Sequence, residues 1–220
     1  MTEFKICGLR TLEDALAAAD AGASFLGFVF VPGVRRQIDE ALASEIIQEI
    51  KRRTGSGGPR IVGLFANQAM SEVNRIISKC GLDFAQLCGD EPPDYWDQVE
   101  AWVIKMLKVA EDGPKEKLVA GLRKHIEDAM SRMHLCLLDK HTAGALGGAG
   151  KSFDWSIAAE IAKNYRIILA GGLTPKNVHE AISKAGPWGV DVSTGVETDG
   201  VKDIEKIMAF GNNVRAVGVA

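Results

Sequence analysis

The segment RIILAGGLTPKNVHEAISKAGPWGVDVSTGVE, residues 166–197, contains the same arrangement twice: a short apolar run that ends in a glycine-containing loop. The first run is Arg166–Ala170 and the second is Gly189–Ser193. Between them, apolar residues recur at helical spacing, at Val178, Ala181, Ile182 and Ala185. The segment therefore predicts a strand, a helix and a second strand, with a glycine loop after each strand.

The same alternation extends over the rest of the 220-residue chain. Six further apolar runs have the length and composition of buried strands: Phe4–Cys7, Phe25–Phe30, Arg60–Phe65, Phe84–Leu87, Trp102–Leu107 and His134–Asp139. Segments with helical periodicity separate them, and the helix after Lys108 has the least defined limits. Because no linker or low-complexity tract interrupts the series, we expect one domain over residues 1–220.

Eight strand–helix units in a chain of this length favour a closed barrel over an open doubly wound sheet. An open sheet commonly carries a glycine fingerprint after its first strand, whereas the first turn here contains only Gly8. The glycine-rich loops instead follow the last strands, where barrels frequently bind phosphate. The sequence therefore predicts an α/β fold, a single-domain (β/α)8 TIM barrel.

The composition argues against several classes of protein. The chain is 46% hydrophobic with a formal net charge of -3, and its Lys and Arg residues are scattered, so no nucleic-acid partner is expected. No apolar run suits a signal peptide or a membrane span, which predicts a cytoplasmic protein with no membrane partner. The cysteines contain no CxxC pair, so no zinc or redox motif is predicted and each is first interpreted as a reduced core thiol: Cys7, Cys80, Cys88 and Cys136.

The two late loops predict a phosphate site. The loop AGGLTPKN, residues 170–177, precedes a helix whose free N–H groups and positive dipole end can hold an anion. The loop DVSTGVE, residues 191–197, offers hydroxyl and backbone donors at the end of the next strand. Either loop alone could be only a tight turn, but adjacent strands would bring them together. The candidate phosphate-binding residues are Gly171, Gly172, Ser193, Thr194 and Gly195.

The first strand should carry a lysine and a thiol on its inner face. Strand alternation places Phe4 and Ile6 toward the helices, so Lys5 and Cys7 should face the barrel axis. A buried ammonium without a partner is very costly. Strand eight is the neighbour of strand one in a closed barrel, and we therefore expect Asp191 to pair with Lys5.

Asp139 ends the sixth strand, at the rim where barrel enzymes keep their catalytic groups. Alone it could be a loop cap or a structural anion. Because Cys7 lies at the same rim, a thiol and a carboxyl beside a phosphate site suit an acid–base pair. Cysteine as an attacking nucleophile would call for a nearby histidine, and His141 stays open for that role.

Several segments together resemble the phosphoribosylanthranilate isomerase family, whose members are (β/α)8 enzymes of tryptophan biosynthesis. The resemblance covers nearly the whole chain and rests on KICGL (5–9), GFVFVPGVRRQI (27–38), QLCGDE (86–91), LLDKH (137–141), GGAGKSFDW (147–155), LAGGLTPKNV (169–178) and GVDVSTGVE (189–197). It implies an Amadori rearrangement of N-(5-phosphoribosyl)anthranilate to 1-(2-carboxyphenylamino)-1-deoxyribulose 5-phosphate. The implied partner is one small phosphorylated substrate, with neither metal nor organic cofactor.

The resemblance also implies a role for individual residues. Asp139 corresponds to the general acid that opens the sugar ring, and Cys7 to the general base that removes the C2 proton. Arg36 corresponds to the arginine that contacts the anthranilate side of the substrate, and its neighbour Arg35 is expected to be a solvated loop residue. We expect Lys5 to favour the thiolate and burial to keep a proton on Asp139. Asp191 is counted with the substrate-binding residues.

Two positions depart from the family pattern, because Val34 stands where serine is usual and Cys88 where histidine is usual. We therefore expect reduced or differently tuned activity. Two alternatives stay open at this point: a related phosphosugar isomerase or epimerase, and a catalytically silent barrel that binds a phosphorylated metabolite. The sequence fits a monomer or a homodimer equally well.

Overall fold

The computed structural model describes residues 1–110, 113–140 and 154–218. Eight parallel strands form a closed barrel in which each strand pairs with the next and the eighth pairs with the first. The predicted (β/α)8 barrel is therefore confirmed. Its strands are β1 (Glu3–Cys7), β2 (Phe25–Val29), β3 (Arg60–Phe65), β4 (Phe84–Leu87), β5 (Trp102–Val109), β6 (Leu135–Lys140), β7 (Ile167–Leu169) and β8 (Gly189–Val192).

Helices alternate with the strands: α1 (Leu12–Asp20), α2 (Glu40–Thr54), α3 (Met70–Cys80), α4 (Pro93–Trp96), α5 (Lys115–Ser131), α6 (Trp155–Ala162), α7 (Val178–Ala185) and α8 (Ile204–Arg215). Several begin at a capping side chain, as where the hydroxyl of Thr11 accepts from the backbone N–H of Asp14. Within the described ranges, no helix has the length and apolar character needed to cross a membrane. A two-stranded hairpin, β9 (Glu197–Thr198) and β10 (Val201–Lys202), separates β8 from α8.

Two apolar layers hold the barrel together. Phe4 and Ile6 belong to the layer between strands and helices, and the ring of Phe4 lies 6.1 Å from that of Phe210 on α8. Cys7 and Val62 belong to the separate layer inside the barrel. Each fully buried apolar side chain contributes about 1.5–3 kcal/mol. The predicted division of β1 into an outer and an inner face is confirmed.

Aromatic rings fill the N-terminal end of the barrel. The ring of Phe25 lies 5.5 Å from that of Phe84 and 6.0 Å from that of Trp188, both in edge-on contacts. These residues begin β2 and β4 or immediately precede β8. These rings close the barrel interior at this end, and the cavity lined by Cys7 and Asp139 lies at the opposite, C-terminal end, where the last two strands are followed by their glycine loops.

Strands β7 and β8 end slightly earlier than the sequence predicts. The backbone N–H of Ala170 still donates to the carbonyl of Leu138, but the next two residues, Gly171 and Gly172, have φ angles of +87° and +68°. These left-handed conformations turn the chain out of the barrel, and glycine adopts them without steric cost.

Candidate active site

A cavity of about 510 Å³ opens at the C-terminal ends of the strands. Every strand, or the loop that directly follows it, contributes to the lining. All nine predicted site residues line this cavity: Cys7, Arg36, Asp139, Gly171, Gly172, Asp191, Ser193, Thr194 and Gly195. The structure thus brings residues far apart in the sequence into one space, which suits a ligand of small-molecule size.

Cys7 is the last residue of β1 and is buried at the base of the cavity. It lies beside Gly27 on β2, where an added Cβ would be only 3.1 Å from the Cys7 sulfur. The absence of a side chain at Gly27 therefore leaves room around the thiol.

Opposing electrostatic influences act on the Cys7 thiol. Burial raises the pKa of the Cys7 thiol, and the charge of Asp191 adds to the rise, whereas the charges of Lys5 and Lys202 lower it. The net direction is upward, because loss of solvation outweighs the two cations. Lys5 does favour the thiolate, as predicted, but not enough to make it the resting form.

Lys5 and Asp191 form the ion pair predicted from strand parity, and this prediction is confirmed. The Lys5 Nζ atom lies 2.8 Å from the Asp191 Oδ1 atom, and both side chains are buried. Although burial opposes the charge on Lys5, Asp191 and then Cys7 raise the pKa of its ammonium above the ordinary value. A fixed positive charge therefore lies beneath the thiol, and loss of either partner would leave a buried charge uncompensated.

Asp139 keeps a proton more readily than an ordinary aspartate. Burial is the main cause and the charge of Asp191 the second, and together they raise the pKa of Asp139 to about 6 against the opposing backbone N–H of Lys140 and the charge of Lys5. Its Oδ1 atom accepts a 2.8 Å hydrogen bond from that N–H group. Gly171 permits this geometry, because a Cβ there would lie 2.9 Å from Oδ1. The raised pKa of Asp139 agrees with the expectation that burial keeps a proton on this carboxyl.

The two glycine loops pack directly against each other. A Cβ on Gly195 would lie 1.8 Å from the carbonyl oxygen of Leu173, so only glycine allows this approach. The cavity lining extends from Ala170 to Thr174 and stops short of α7. Within the described residues, the loop rather than the first turn of α7 therefore lines this part of the cavity.

Ser193 and Thr194 are held by hydrogen bonds within the protein. The Ser193 hydroxyl donates to the carbonyl of Cys7 at 3.1 Å, and the Thr194 hydroxyl accepts from Arg36 at 2.7 Å. The first of these bonds ties the loop after β8 to the end of β1. The hydroxyl proton of Ser193 is therefore already donated to a protein acceptor.

Arg36 is anchored by Glu197. The Arg36 Nε atom lies 2.7 Å from Glu197 Oε1, and one of its terminal nitrogens lies 3.1 Å from Oε2. Burial opposes ionisation of Glu197, but hydrogen bonds from Arg36, Lys202 and Arg35 hold its pKa at about 2. Arg35 is half exposed yet also bonds Glu197 and the carbonyl of Gly200, so the solvated arginine predicted at this position is only partly solvated.

Gln86 is a site residue that the sequence analysis missed. It lines the cavity from β4, and its buried Oε1 atom has no hydrogen-bond partner among the described residues. Its amide nitrogen lies 3.4 Å from the sulfur of Cys88. Burial raises the pKa of Cys88 to about 12, so this thiol is protonated. A glutamine in the fourth apolar run was the available signal, since a polar residue inside a strand this short rarely faces a core.

The cysteine and valine that depart from the family pattern both line the cavity, whereas Cys80 and Cys136 belong to the layer between strands and helices. His141 and the GGAG segment, residues 147–150, lie outside the described residues. Within residues 1–110, 113–140 and 154–218, no three His, Cys, Asp or Glu side chains cluster in a way that would hold a metal ion.

Comparison with known proteins gives matches over nearly the whole chain. A family model described as N-(5'phosphoribosyl)anthranilate (PRA) isomerase matches residues 4–213. An N-(5'-phosphoribosyl)anthranilate isomerase of Dehalococcoides mccartyi is 43% identical over 215 residues, which cover 98% of this chain and 96% of the relative.

Solved structures show the same similarity. The crystal structure of phosphoribosyl anthranilate isomerase from Thermotoga maritima matches with a TM-score of 0.84 and 34% identity, covering 98% of this chain and 100% of that one. A phosphoribosyl anthranilate isomerase in complex with reduced 1-(o-carboxyphenylamino)-1-deoxyribulose 5-phosphate matches with a TM-score of 0.80 and 31% identity, with coverages of 98% and 100%.

Proposed function

Because this chain belongs to the N-(5'-phosphoribosyl)anthranilate isomerase family, we propose that Asp139 is the general acid and Cys7 the general base of its reaction. The enzyme isomerises N-(5-phosphoribosyl)anthranilate to 1-(2-carboxyphenylamino)-1-deoxyribulose 5-phosphate in tryptophan biosynthesis. One observation carries the assignment: a buried thiol and a buried carboxyl with a raised pKa line one cavity together with two glycine loops.

The first step opens the sugar ring. Protonated Asp139 gives its proton to the ring oxygen as the bond from that oxygen to C1 breaks. The anthranilate nitrogen supplies the electron pair that forms a C1=N bond, which leaves a protonated Schiff base and an ionised Asp139. A carboxyl with a pKa of about 6 suits this task, because near neutral pH a useful fraction still carries the proton.

The second step removes the C2 proton. Cys7 acts as the thiolate, which the positive charges of Lys5 and Lys202 favour and the new charge on the Schiff base favours further. The electron pair of the C2–H bond forms C1=C2, and the C1=N pair returns to nitrogen, giving an enolamine. Loss of the enol proton and addition of a proton at C1 then give the ketone. Each step needs only an acid or a base to give or take a proton, so this scheme calls for no metal and no organic cofactor.

Substrate binding is assigned to the rim of the cavity. We propose that the phosphate contacts the two glycine loops, at Gly171, Gly172, Ser193, Thr194 and Gly195. The guanidinium of Arg36 suits the anthranilate group, since the terminal nitrogen that bonds neither Glu197 nor Thr194 can donate to a carboxylate, and its flat face can pack on an aromatic ring. Asp191, whose carboxylate also lines the cavity, is assigned to the sugar.

Activity is tested with freshly prepared N-(5-phosphoribosyl)anthranilate and the purified protein, by the change in fluorescence as substrate is consumed. We expect turnover that saturates with substrate, and rescue of a tryptophan auxotroph by the gene. Binding of the reduced product analogue without turnover would instead describe a silent barrel. That result would contradict the proposed acid and base.

Replacing Arg36 with alanine should raise KM about 10-fold to 100-fold, the loss expected for a charge-assisted contact with the substrate. The value of kcat should change much less, because Arg36 contacts neither reacting carbon in this proposal. Glu197 keeps Lys202 and Arg35 as partners, so the variant should fold. Steady-state kinetics give both constants.

Arg35→Ala is the comparison variant for this experiment, since it removes a guanidinium from the same carboxylate at a half-exposed position. Its KM should rise less than that of Arg36→Ala. Equal values for the two variants would argue against a specific contact of Arg36 with the anthranilate group.

We also propose that the chain is one catalytic domain that works in the cytoplasm as a monomer or homodimer. The four cysteines are unpaired thiols, which suits a reducing compartment. A relative from Thermotoga maritima is described as dimeric and as a source of generated monomers, so both states are compatible with this fold.

A further inference from the structure

Lys202 is a buried cation whose charge affects the Cys7 thiol less than burial, Lys5 and Asp191 do, and whose hydrogen bonds have no part in the proposed acid–base chemistry. Its side chain, on β10, is only 3% exposed, and it is not among the residues that line the cavity. Its Nζ atom donates to the carbonyl of Ser193 and to Glu197 Oε1, both at 2.8 Å, and lies 3.5 Å from the Ser193 hydroxyl. Burying an ammonium is costly, and these oxygens offset that cost.

Each of the two partners of Lys202, Ser193 and Glu197, is hydrogen-bonded to a different residue that lines the cavity. Ser193 belongs to the loop proposed to hold phosphate, and its hydroxyl also donates to the carbonyl of Cys7. Glu197 accepts two hydrogen bonds from the guanidinium of Arg36. One ammonium therefore ties the loop after β8 to the carboxylate that orients Arg36.

Three cationic side chains bond the Glu197 carboxylate, those of Arg36, Lys202 and Arg35. Arg36 and Lys202 both bond the Oε1 atom, while Arg35 and Arg36 bond Oε2. Lys202 approaches from the protein interior and Arg35 from solvent, so the carboxylate is fixed from both sides. A carboxylate fixed in this way presents both oxygens to Arg36 as a two-point contact, which sets the plane of the guanidinium.

We propose that Lys202 is a positioning residue for substrate binding, which fixes the phosphate loop through Ser193 and the side chain of Arg36 through Glu197. It does so without contacting the substrate. This inference rests on the proposed function, because it takes the loop and Arg36 as the contacts for the phosphate and for the anthranilate group.

The test compares Lys202→Met with the wild type in steady-state kinetics and in competition by inorganic phosphate. We expect KM and the inhibition constant of phosphate each to rise about tenfold, the scale of one lost charge-assisted hydrogen bond, with kcat within about threefold. A merely structural lysine would lower the amount of active enzyme, and hence the apparent kcat, without moving KM. Glu197 keeps both arginines, so the variant should fold.

Lys206→Met is the matched control. Lys206 also donates to this hairpin, at 2.8 Å to the backbone carbonyl of Glu197 and 2.8 Å to the Thr198 hydroxyl, but it is 42% exposed and does not bond the Glu197 carboxylate. Its kinetic constants should stay near those of the wild type. If Lys202→Met fails to fold, Lys202→Gln keeps a donor in the buried position, and the same rise in KM is expected.

The outcomes separate this inference from the function on which it rests. Phosphate that fails to compete with substrate in the wild type would overturn the phosphate site and, with it, the role of Lys202. Phosphate that competes equally well in wild type and Lys202→Met, with equal KM values, would overturn the role of Lys202 alone. A loss confined to kcat would do the same, because it would move Lys202 from positioning to chemistry.

Discussion

Replacing Cys7 with serine should lower kcat by about 10²- to 10⁴-fold, the usual contribution of a positioned general base. Serine has nearly the shape of cysteine, but its hydroxyl is far harder to ionise, and the nearby charges of Lys5 and Lys202 cannot make up the difference. The hydrogen bond from Ser193 goes to the backbone carbonyl of residue 7, so it survives the change. Steady-state kinetics measure kcat, and thermal unfolding of the same preparation shows whether the variant is folded.

Cys80→Ser is the matched control for this experiment. The thiol of Cys80 lies outside the cavity and already donates to the carbonyl of Glu40 at 3.6 Å, so a hydroxyl there keeps an acceptor. Its kcat should equal that of the wild type. If Cys7→Ser bound the reduced product analogue normally and also turned over at a near-normal rate, Cys7 would not be the base.

The sequence predicted the parts of this site that follow from regular geometry. Strand alternation and closure of β8 onto β1 are enough to bring Lys5 and Asp191 together, because a strand has a fixed period and a barrel has a fixed neighbour order. The glycine loops were likewise recognisable, since their position along the chain fixes the end of the barrel at which they lie.

The parts that escaped prediction depend on irregular geometry or on a balance of opposing energies. Glu197 and Lys202 meet because the hairpin between them turns through Asp199 and Gly200, with φ angles of +51° and +81°. A sequence shows the turn residues but not that the lysine points inward. The pKa of Cys7 is a difference between burial and nearby cations, and sequence indicates the sign of each but not their relative size.

Replacing Asp139 with asparagine should also lower kcat by about 10²- to 10⁴-fold, because an amide has no proton to give to the ring oxygen. The amide oxygen can still accept the hydrogen bond from the Lys140 N–H, so the local geometry should persist. In the wild type, kcat/KM should rise with pH up to about 6, as more Cys7 becomes thiolate while Asp139 keeps its proton, and should level off above about 6, where Asp139 of the free enzyme ionises. This levelling near pH 6 should be absent from the residual activity of the variant. A pH profile of each protein checks both statements.

The same substitution should make the protein more stable, which a purely structural role for Asp139 would not allow. The unfolded carboxyl ionises near 3.8 and the folded one near 6, so below pH 3.8 the wild type and Asp139→Asn should be similarly stable. As pH rises through that interval the unfolded wild type ionises first, and its folded state loses stability relative to the variant. Above pH 6 the advantage of the variant should reach about 3 kcal/mol.

Asp154→Asn is the comparison variant, because loss of this carboxylate should affect the stability of the fold with the opposite sign. Asp154 caps α6, and hydrogen bonds from the backbone and then the hydroxyl of Ser156 lower its pKa, so its ionised form stabilises the fold. Removing that charge should give no gain in stability near pH 8. Denaturant unfolding of both variants at pH 4 and pH 8 measures the difference. Loss of activity in Asp139→Asn together with a loss of stability at pH 8 would mean that Asp139 supports the fold, and its assignment as the acid would fail.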